Sequence, residues 1–266
     1  IIFYCMSKNI TGTDFYLEAG INHFGKDKHA KKILNYFLKS KFSNLTFMLH
    51  NENFYKTYLK KGIDFSLSNN FYERSLTKCH IKKKKLGLAV CSLNTFKKYS
   101  DIEFDFYKLL SVGINQFDLI KELIKKKKPI FVSTGFKVTD YQIKKCLKLF
   151  KTRKNLSLLH SPMSYNLSEL NFPRINQLKK IYKLDVGYSN HCSNKNTLNV
   201  LTAYKPKSLF LYCKPIRKKR TTYPDDKHAF FLDELNDIID NFNNCSKINS
   251  TKKMKNINIF SNEIKY

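Results

Sequence analysis

The chain has 266 residues, of which 42% are hydrophobic, and its formal net charge at pH 7 is +28. This length suits one large α/β domain or two small ones, and a mean hydropathy of -0.44 is typical of a soluble globular protein. Apolar runs stay short of the roughly 20 residues that span a bilayer, so we expect no membrane association.

Short apolar runs alternate with amphipathic stretches along the whole chain. We predict eight strands, at residues 15–19, 45–49, 86–90, 104–109, 130–132, 156–159, 184–188 and 209–212. The helices predicted between and after them lie at residues 27–41, 53–61, 115–127, 139–151, 168–182, 193–203 and 232–242. Eight strand-helix repeats predict a parallel sheet closed into a (β/α)8 TIM barrel. An open doubly wound sheet is the alternative, but no Gly-x-Gly-x-x-Gly follows the first strand.

The barrel is predicted as a single domain over residues 15–242. Residues 1–14 form an N-terminal extension, and residues 243–266 form a Lys/Asn-rich tail that we expect to be loosely docked. Residues 60–85 are the least regular part, where we expect an extra loop or a short hairpin.

Lysine supplies nearly all of the positive charge. Two lysine runs, residues 82–85 and 125–128, directly precede predicted strands. We interpret them as solvated helix ends, with a polyanion-binding patch as the alternative. Nucleic acid is an unlikely partner, because a nucleic-acid-binding barrel would rest on charge alone.

Cysteine usage indicates the compartment. The seven cysteines are odd in number and form no Cys-x-x-Cys pair. This pattern is typical neither of a disulfide framework nor of a structural zinc site. We therefore predict a cytoplasmic protein.

Polar residues recur where the predicted strands end, which is where the βα-loops of a barrel converge. Ser189 and His191 follow the seventh strand, although such a pair also occurs as a simple helix cap. Lys108 lies inside the fourth strand, where burial requires an anionic partner unless the side chain reaches solvent at a sheet edge. An ammonium near several serine hydroxyls suits a phosphate group.

Several segments resemble one enzyme family. Residues 18–25, Glu-Ala-Gly-Ile-Asn-His-Phe-Gly, resemble the E-I-G-I-N-H-x-G opening of the N-acetylneuraminate (sialic acid) synthases and their legionaminate and pseudaminate relatives. Residues 108–111 resemble K-I-A-S, and residues 129–135 resemble P-V-I-L-S-T-G. Further matches, in family order, are residues 159–165 with L-H-C-T-x-x-Y, 186–191 with V-G-x-S-D-H and 224–230 with P-D-H-x-A-[FS].

The resemblance implies a barrel that condenses phosphoenolpyruvate with an N-acetylated aldose, giving a nonulosonic acid and phosphate. It implies a divalent metal, Mn²⁺ or Mg²⁺, that polarises the sugar aldehyde. Carried over by position, the phosphate would be held by Lys108, Ser111, Ser133 and Ser189. His191 would be a metal ligand, and Asp225 or Asp226 would contact the sugar. Glu18 and Tyr165 would face the sugar or the reacting centre. The candidate catalytic residues are Glu18, Lys214 and Asp226.

The chain departs from the family pattern at several positions. The family's second metal histidine falls on Lys214, and this substitution should weaken metal binding. Lys214 could instead act as a fixed cation that polarises the aldehyde. Other departures are Thr46, Met48, Gly113, Met163, Asn190 and Tyr212.

Two readings of function follow. The leading one is a sialic acid synthase-like transferase, and the alternative is a catalytically impaired relative that acts as a binding or regulatory module. Bacterial members of the family carry a C-terminal antifreeze-like domain, which we expect to be absent here. The family also suggests a homodimer.

Overall fold

The computed structural model describes residues 12–135, 137–215 and 222–249. Within these residues, eight parallel strands close into a barrel, because each pairs with the next along the chain and the first also pairs with the eighth. The strands are β1 (Asp14–Gly20), β2 (Asn44–Met48), β3 (Lys85–Val90), β4 (Phe106–Leu109), β5 (Ile130–Ser133), β6 (Leu156–His160), β7 (Asp185–Ser189) and β8 (Ser208–Lys214). A short strand, β9 (Phe230–Phe231), pairs with the end of β8. The predicted TIM barrel is confirmed.

Helices surround the strands and pack their apolar faces against the barrel. In α1, the buried residues Ala30, Ile33, Leu34 and Phe37 follow the spacing of one helix face. The helices are α1 (Asp27–Lys39), α2 (Glu52–Leu59), α3 (Asn69–Ile81), α4 (Leu93–Lys97), α5 (Phe117–Lys125), α6 (Asp140–Leu147), α7 (Pro173–Tyr182), α8 (Asn196–Leu201) and α9 (Leu235–Ile248). No helix in the described part of the chain is long and apolar enough to cross a bilayer.

The prediction of an extra loop or a short hairpin within residues 60–85 is confirmed in part, because residues 60–68 form a loop. The helix α3, which occupies much of the rest of this segment, was not predicted. The hydroxyl of Ser68 caps α3 by accepting a hydrogen bond from the Phe71 N–H at 3.1 Å. The buried face of α3 includes one polar residue, Ser75, and the apolar Ile81 is 73% exposed, so the helical period is weak in the sequence. The short helix α4 was not predicted either.

The ends of the chain are described only in part. Helix α9 continues to Ile248, so residues 243–248 of the predicted tail are helical. The side chains of Leu235, Ile238, Ile239 and Phe242 anchor this helix in the core. Residues 1–11 of the predicted extension and residues 250–266 of the predicted tail lie outside the described residues.

Two lysines of the predicted runs donate hydrogen bonds to backbone carbonyls. The ammonium of Lys84 donates hydrogen bonds to the carbonyls of Phe37 and Ser40 at 2.9 and 2.8 Å, at the C-terminal end of α1. Lys126 contacts the Ser100 carbonyl and lies 3.2 Å from Oε1 of Glu103. These contacts support the helix-end interpretation for these two side chains.

Side chains fill the barrel in two layers, because alternate residues of each strand point inward. The layer near the amino-terminal ends of the strands is apolar and consists of Tyr16, Phe106, Phe131, Leu159 and Phe210. The Tyr16 ring stacks on Phe210 with 4.2 Å between ring centroids and meets Phe131 edge-on at 5.0 Å. Two residues further along their strands, this register places Glu18, Lys108, Ser133 and Tyr212 in the next layer.

Candidate active site

A buried ion pair forms the floor of the candidate site. Nζ of Lys108 lies 2.6 Å from Oε1 of Glu18 and 2.9 Å from Oγ of Ser189. The Ser189 hydroxyl is also 3.3 Å from Oε2 of Glu18. Lys108 is 1% exposed, so the alternative in which it reaches solvent at a sheet edge is wrong. Burial lowers the pKa of Lys108, while the negative charge of Glu18 opposes that shift.

The hydroxyl of Ser133 has no hydrogen-bond partner although it is buried. Buried hydroxyls are normally paired, because an unpaired one loses its hydration without compensation. The neighbouring serine differs, since Oγ of Ser111 accepts a hydrogen bond from the Gly135 N–H at 2.9 Å. Ser133 therefore has an unused hydrogen-bond donor in the same layer of the barrel as Lys108.

A cavity of about 210 Å³ opens above this floor. Six of the predicted site residues line it: Lys108, Ser111, Ser133, Ser189, His191 and Asp225. The lining also includes His50, His228, Tyr212 and Ser161. Glu18 contributes through its contacts with Lys108 and Ser189.

The segment after β8 brings Asp225 to the cavity. Its backbone N–H donates to Oδ1 of Asn22 at 3.0 Å, and its Oδ2 accepts from the Ile21 N–H at 3.4 Å. Gly20 has a φ of +52°, and a Cβ atom there would lie 2.2 Å from Oδ2 of Asp225. Burial raises the pKa of Asp225 to about 7, and the charge of Glu18 adds to the shift. The Glu-Ala-Gly-Ile-Asn motif thus holds this carboxyl in place.

Besides Glu18, three predicted site residues do not line the cavity. Nζ of Lys214 lies 2.8 Å from Oδ1 of Asp226 and 4.4 Å from the ring centroid of Phe231. Tyr165 is 52% exposed, and its ring stacks on His228 with 6.3 Å between centroids. The structure therefore brings Lys214 and Asp226 together as a pair beside the cavity, and places Tyr165 at its outer edge.

Two histidines in the cavity lining were not predicted as site residues. His50 follows β2 and stacks on Phe54 with 3.9 Å between centroids, and burial lowers its pKa to about 4. His228 lies in the 224–230 segment, which was matched for its aspartates. Burial, together with the charges of Lys108 and Lys214, lowers the pKa of His228 to about 4. Their positions at a strand end and inside a matched segment were the available signals.

A buried ammonium and several serine hydroxyls thus lie at the carboxyl ends of the strands of a TIM barrel, where the βα-loops converge. Residues 28–254 match the NeuB family. The chain therefore belongs to that family.

Similar proteins are named as nonulosonic acid synthases. The N,N'-diacetyllegionaminic acid synthase of Campylobacter jejuni is 27% identical over 199 residues, which are 65% of this chain and 59% of that protein. The pseudaminic acid synthase of C. jejuni serotype O:23/36 is 31% identical over 112 residues, covering 38% of this chain and 32% of that protein. The chain thus spans about three fifths, or less, of these relatives.

A solved structure shows the same fold. The N-acetylneuraminic acid synthetase from Leptospira borgpetersenii, in complex with citrate, superposes with a TM-score of 0.80 at 19% identity. The match covers 92% of this chain and 88% of that one.

The metal that the resemblance implies was tested against the donor groups present. Among the described residues, no three His, Cys, Asp or Glu side chains are placed together so that they could hold a metal ion. His191 nevertheless suits a ligand, because its Nδ1 lies 3.1 Å from the Ser189 carbonyl, which leaves Nε2 as the free lone-pair donor. An imidazole and a carboxyl in one cavity are donors that divalent metals accept. These donor groups are therefore of the kind that a divalent metal accepts. Among the described residues they do not form a complete metal site.

Proposed function

We propose that the protein is a nonulosonic acid synthase that condenses phosphoenolpyruvate with an N-acetylated aldose of the N-acetylmannosamine type. The observation that carries this proposal is that Lys108 and Ser133, whose buried hydroxyl has no hydrogen-bond partner, line the same cavity. Phosphate binding needs a cation and hydrogen-bond donors that no other group fully occupies. The family and the named relatives support the same class of reaction.

In this proposal, Lys108, Ser133, Ser189 and Ser111 hold the phosphate of phosphoenolpyruvate. The sugar lies above it, near Asp225. A divalent metal, when bound at His191, would polarise the aldehyde oxygen. Because Lys108 already contacts Glu18, the incoming phosphate competes for an ammonium that the protein holds in a fixed position.

The reaction forms one carbon-carbon bond and breaks one carbon-oxygen bond. The enol carbon C3 bonds to the aldehyde carbon, water adds to C2, and phosphate leaves with its bridging oxygen. One proton of the water ends on the hydroxyl formed from the aldehyde oxygen, and the other ends on phosphate. A pKa of about 7 gives Asp225 both protonation states near neutral pH, which suits it to move the first of these protons.

The test is release of phosphate from phosphoenolpyruvate in the presence of N-acetylmannosamine, with and without Mn²⁺. We expect sugar-dependent release that is lost in Lys108→Ala. The matched control is Lys179→Ala, because Lys179 is half-buried but donates to the Tyr204 and Lys205 carbonyls outside the cavity. Equal loss in the control, or release that does not depend on the sugar, would contradict the proposal.

One observation favours the alternative of a binding or regulatory module. Lys214, at the position of the family's second histidine, is paired with Asp226 and does not line the cavity. A module of this kind would bind phosphoenolpyruvate through Lys108 in calorimetry and release no phosphate with any N-acetylated aldose.

The cysteines support a reducing compartment, and we propose the cytoplasm. Those described are free, namely Cys79, Cys91, Cys146, Cys192, Cys213 and Cys245.

A further inference from the structure

Apolar side chains lie directly above the ammonium of Lys108 in the cavity. The Leu110 N–H donates to the Val90 carbonyl at 2.9 Å, so the strand pairing of β4 continues through this residue. Leu109 belongs to the main hydrophobic core, whereas Leu110 packs on the cavity side with Met48. A strand advances about 3.3 Å per residue, which places Leu110 roughly 6.6 Å above Lys108 along β4. A molecule that extends upward from an anion at Lys108 therefore meets apolar side chains.

This apolar lining reaches the mouth of the cavity. Val112 and Met163 also line the cavity, and they are 58% and 53% exposed. A single exposed apolar side chain needs no explanation, but a set that lines one cavity indicates a binding surface. We call Met48, Leu110, Val112 and Met163 the apolar wall. Met48 and Met163 are two of the positions at which the chain departs from the family pattern.

His50 adds a polar group beside the apolar wall. It lies two residues beyond Met48, and the N–H of the intervening Leu49 donates to the Ala89 carbonyl at 2.8 Å, as in a continued strand. The imidazole stacks on Phe54 with 3.9 Å between ring centroids, which fixes the plane of the ring. Because burial lowers the pKa of His50 to about 4, the ring is neutral at pH 7 and has one N–H donor and one acceptor nitrogen.

An apolar surface beside one neutral hydrogen-bonding ring suits an acylamino group. Burial of one methyl or methylene group strengthens binding about fourfold. The acyl oxygen accepts a hydrogen bond from a neutral N–H donor such as the imidazole. A hydroxyl in the same place would lose its hydration against the wall and gain less in return. The cavity therefore favours an acylamino group over a hydroxyl.

We infer that the apolar wall and His50 form a subsite for the acylamino group of the acceptor sugar. The acyl methyl lies against Met48 and Met163, and the acyl oxygen accepts a hydrogen bond from the His50 imidazole. These three residues determine specificity, because they separate N-acylated aldoses from their hydroxyl analogues. Since Val112 and Met163 extend to solvent, the subsite also admits an acyl chain longer than acetyl. The inference deepens the proposed function and rests on it for the identity of the acceptor.

The test is the binding of three sugars to the full chain, measured by saturation-transfer difference NMR in the presence of inorganic phosphate. The sugars are N-acetylmannosamine, N-propanoylmannosamine and mannose. We expect N-acetylmannosamine to bind at least about fivefold more tightly than mannose, with the strongest saturation on its acyl methyl protons. The propanoyl sugar should bind as tightly or up to about fourfold more tightly. Equal binding of mannose, strongest saturation on the sugar ring, or no binding of any sugar would each overturn the inference.

Three variants separate the contribution of the wall from that of the imidazole. Met48→Gln and Met163→Asn make the wall polar, and each should reduce the preference for N-acetylmannosamine over mannose about two- to fourfold. His50→Phe keeps a ring that can stack on Phe54 but lacks the N–H, so it should weaken N-acetylmannosamine binding about three- to tenfold and leave mannose unchanged. The matched control is Val200→Asn, because Val200 is 60% exposed on α8 and lines a different pocket. An equal loss for both sugars in the three variants would show a structural effect and overturn the assignment.

Turnover separates this inference from the proposed function. If the sugars bind as expected and no phosphate is released from phosphoenolpyruvate, the proposed function fails and the subsite stands. If mannose supports phosphate release as well as N-acetylmannosamine does, the class of reaction stands and the subsite fails.

Discussion

The ammonium of Lys108 lies 2.6 Å from the carboxylate of Glu18 even though the side chains are only 2% and 3% exposed. The two strands that carry them are not neighbours, because β2 and β3 lie between β1 and β4 in the barrel. The pair therefore spans the interior, and it stays intact only while both charges are present.

Lys108→Met should destabilise the fold by about 3–5 kcal/mol, because it leaves a buried carboxylate without its cation. Adding Glu18→Gln should recover part of this loss, since the remaining group is then neutral. Urea unfolding of the single and double variants measures both effects. Phosphoenolpyruvate binding should stay lost in the double variant, and its return would show that Lys108 serves stability alone.

Ser133→Ala should leave stability unchanged or slightly raised, because the hydroxyl has no partner to lose. Phosphoenolpyruvate should bind more weakly by about 1.5–3 kcal/mol, the usual value of a hydrogen bond to a charged group. Ser208→Ala is the matched control, since Ser208 Oγ is also buried and unpartnered. Ser208 is the first residue of β8, whereas Ser133 is the last residue of β5, so the two hydroxyls lie at opposite ends of the barrel. Calorimetry should show an effect on binding for Ser133 alone.

Gly20→Ala should impair both stability and turnover. Gly20 and Gly62 both have positive φ values, of +52° and +73°, so alanine at either should cost roughly 1–2 kcal/mol in backbone strain. Only at Gly20 would the new Cβ contact Asp225 and the Tyr212 ring, whereas nothing lies within 4 Å at Gly62. The temperature of thermal unfolding and kcat should therefore both fall further in Gly20→Ala than in Gly62→Ala. Equal effects in the two variants would argue against the contact with Asp225.

Stability should fall as the pH drops from about 6.5 towards 4, the range between the unfolded and folded pKa values of His23. Burial, with a smaller effect from His29, lowers the pKa of His23 to about 4. The unfolded chain therefore binds more protons in this range, which removes up to about 3 kcal/mol of stability at its acid end. His23→Asn keeps an acceptor for the Gly25 N–H and should reduce the pH dependence in urea unfolding, while His50 and His228, whose pKa values are also lowered to about 4, maintain the rest. His80→Asn should not reduce it, because His80 is exposed on α3.

The barrel was predictable because alternation of short apolar runs with amphipathic helices is a property of the sequence itself. Lys108 and the serines at strand ends were found for the same reason, since the period of a strand fixes which side chains point inward. Helix α3 was missed because its amphipathic period is weak, with Ser75 on the buried face, and only packing against α1 and β3 shows which residues are buried.

The direction of a side chain in a loop is a different matter. The sequence places Lys214 at the end of β8 but does not reveal that its ammonium contacts Asp226. Nor does spacing show that His228 approaches His191, because the segment between β8 and β9 has no regular period. Such contacts depend on the long-range hydrogen bonds of Asn22 and Asp225.

Entry to and exit from the barrel are limited by packed aromatic rings, those of Tyr16, Phe106, Phe131 and Phe210. They block the barrel beneath the ion pair, so reactants and products must share the opening at the carboxyl ends of the strands. A molecule bound at Lys108 lies deepest in the cavity. It can leave only after a molecule bound above it has dissociated. If the proposed condensation takes place here, this geometry predicts an order in which phosphoenolpyruvate enters first and phosphate departs last.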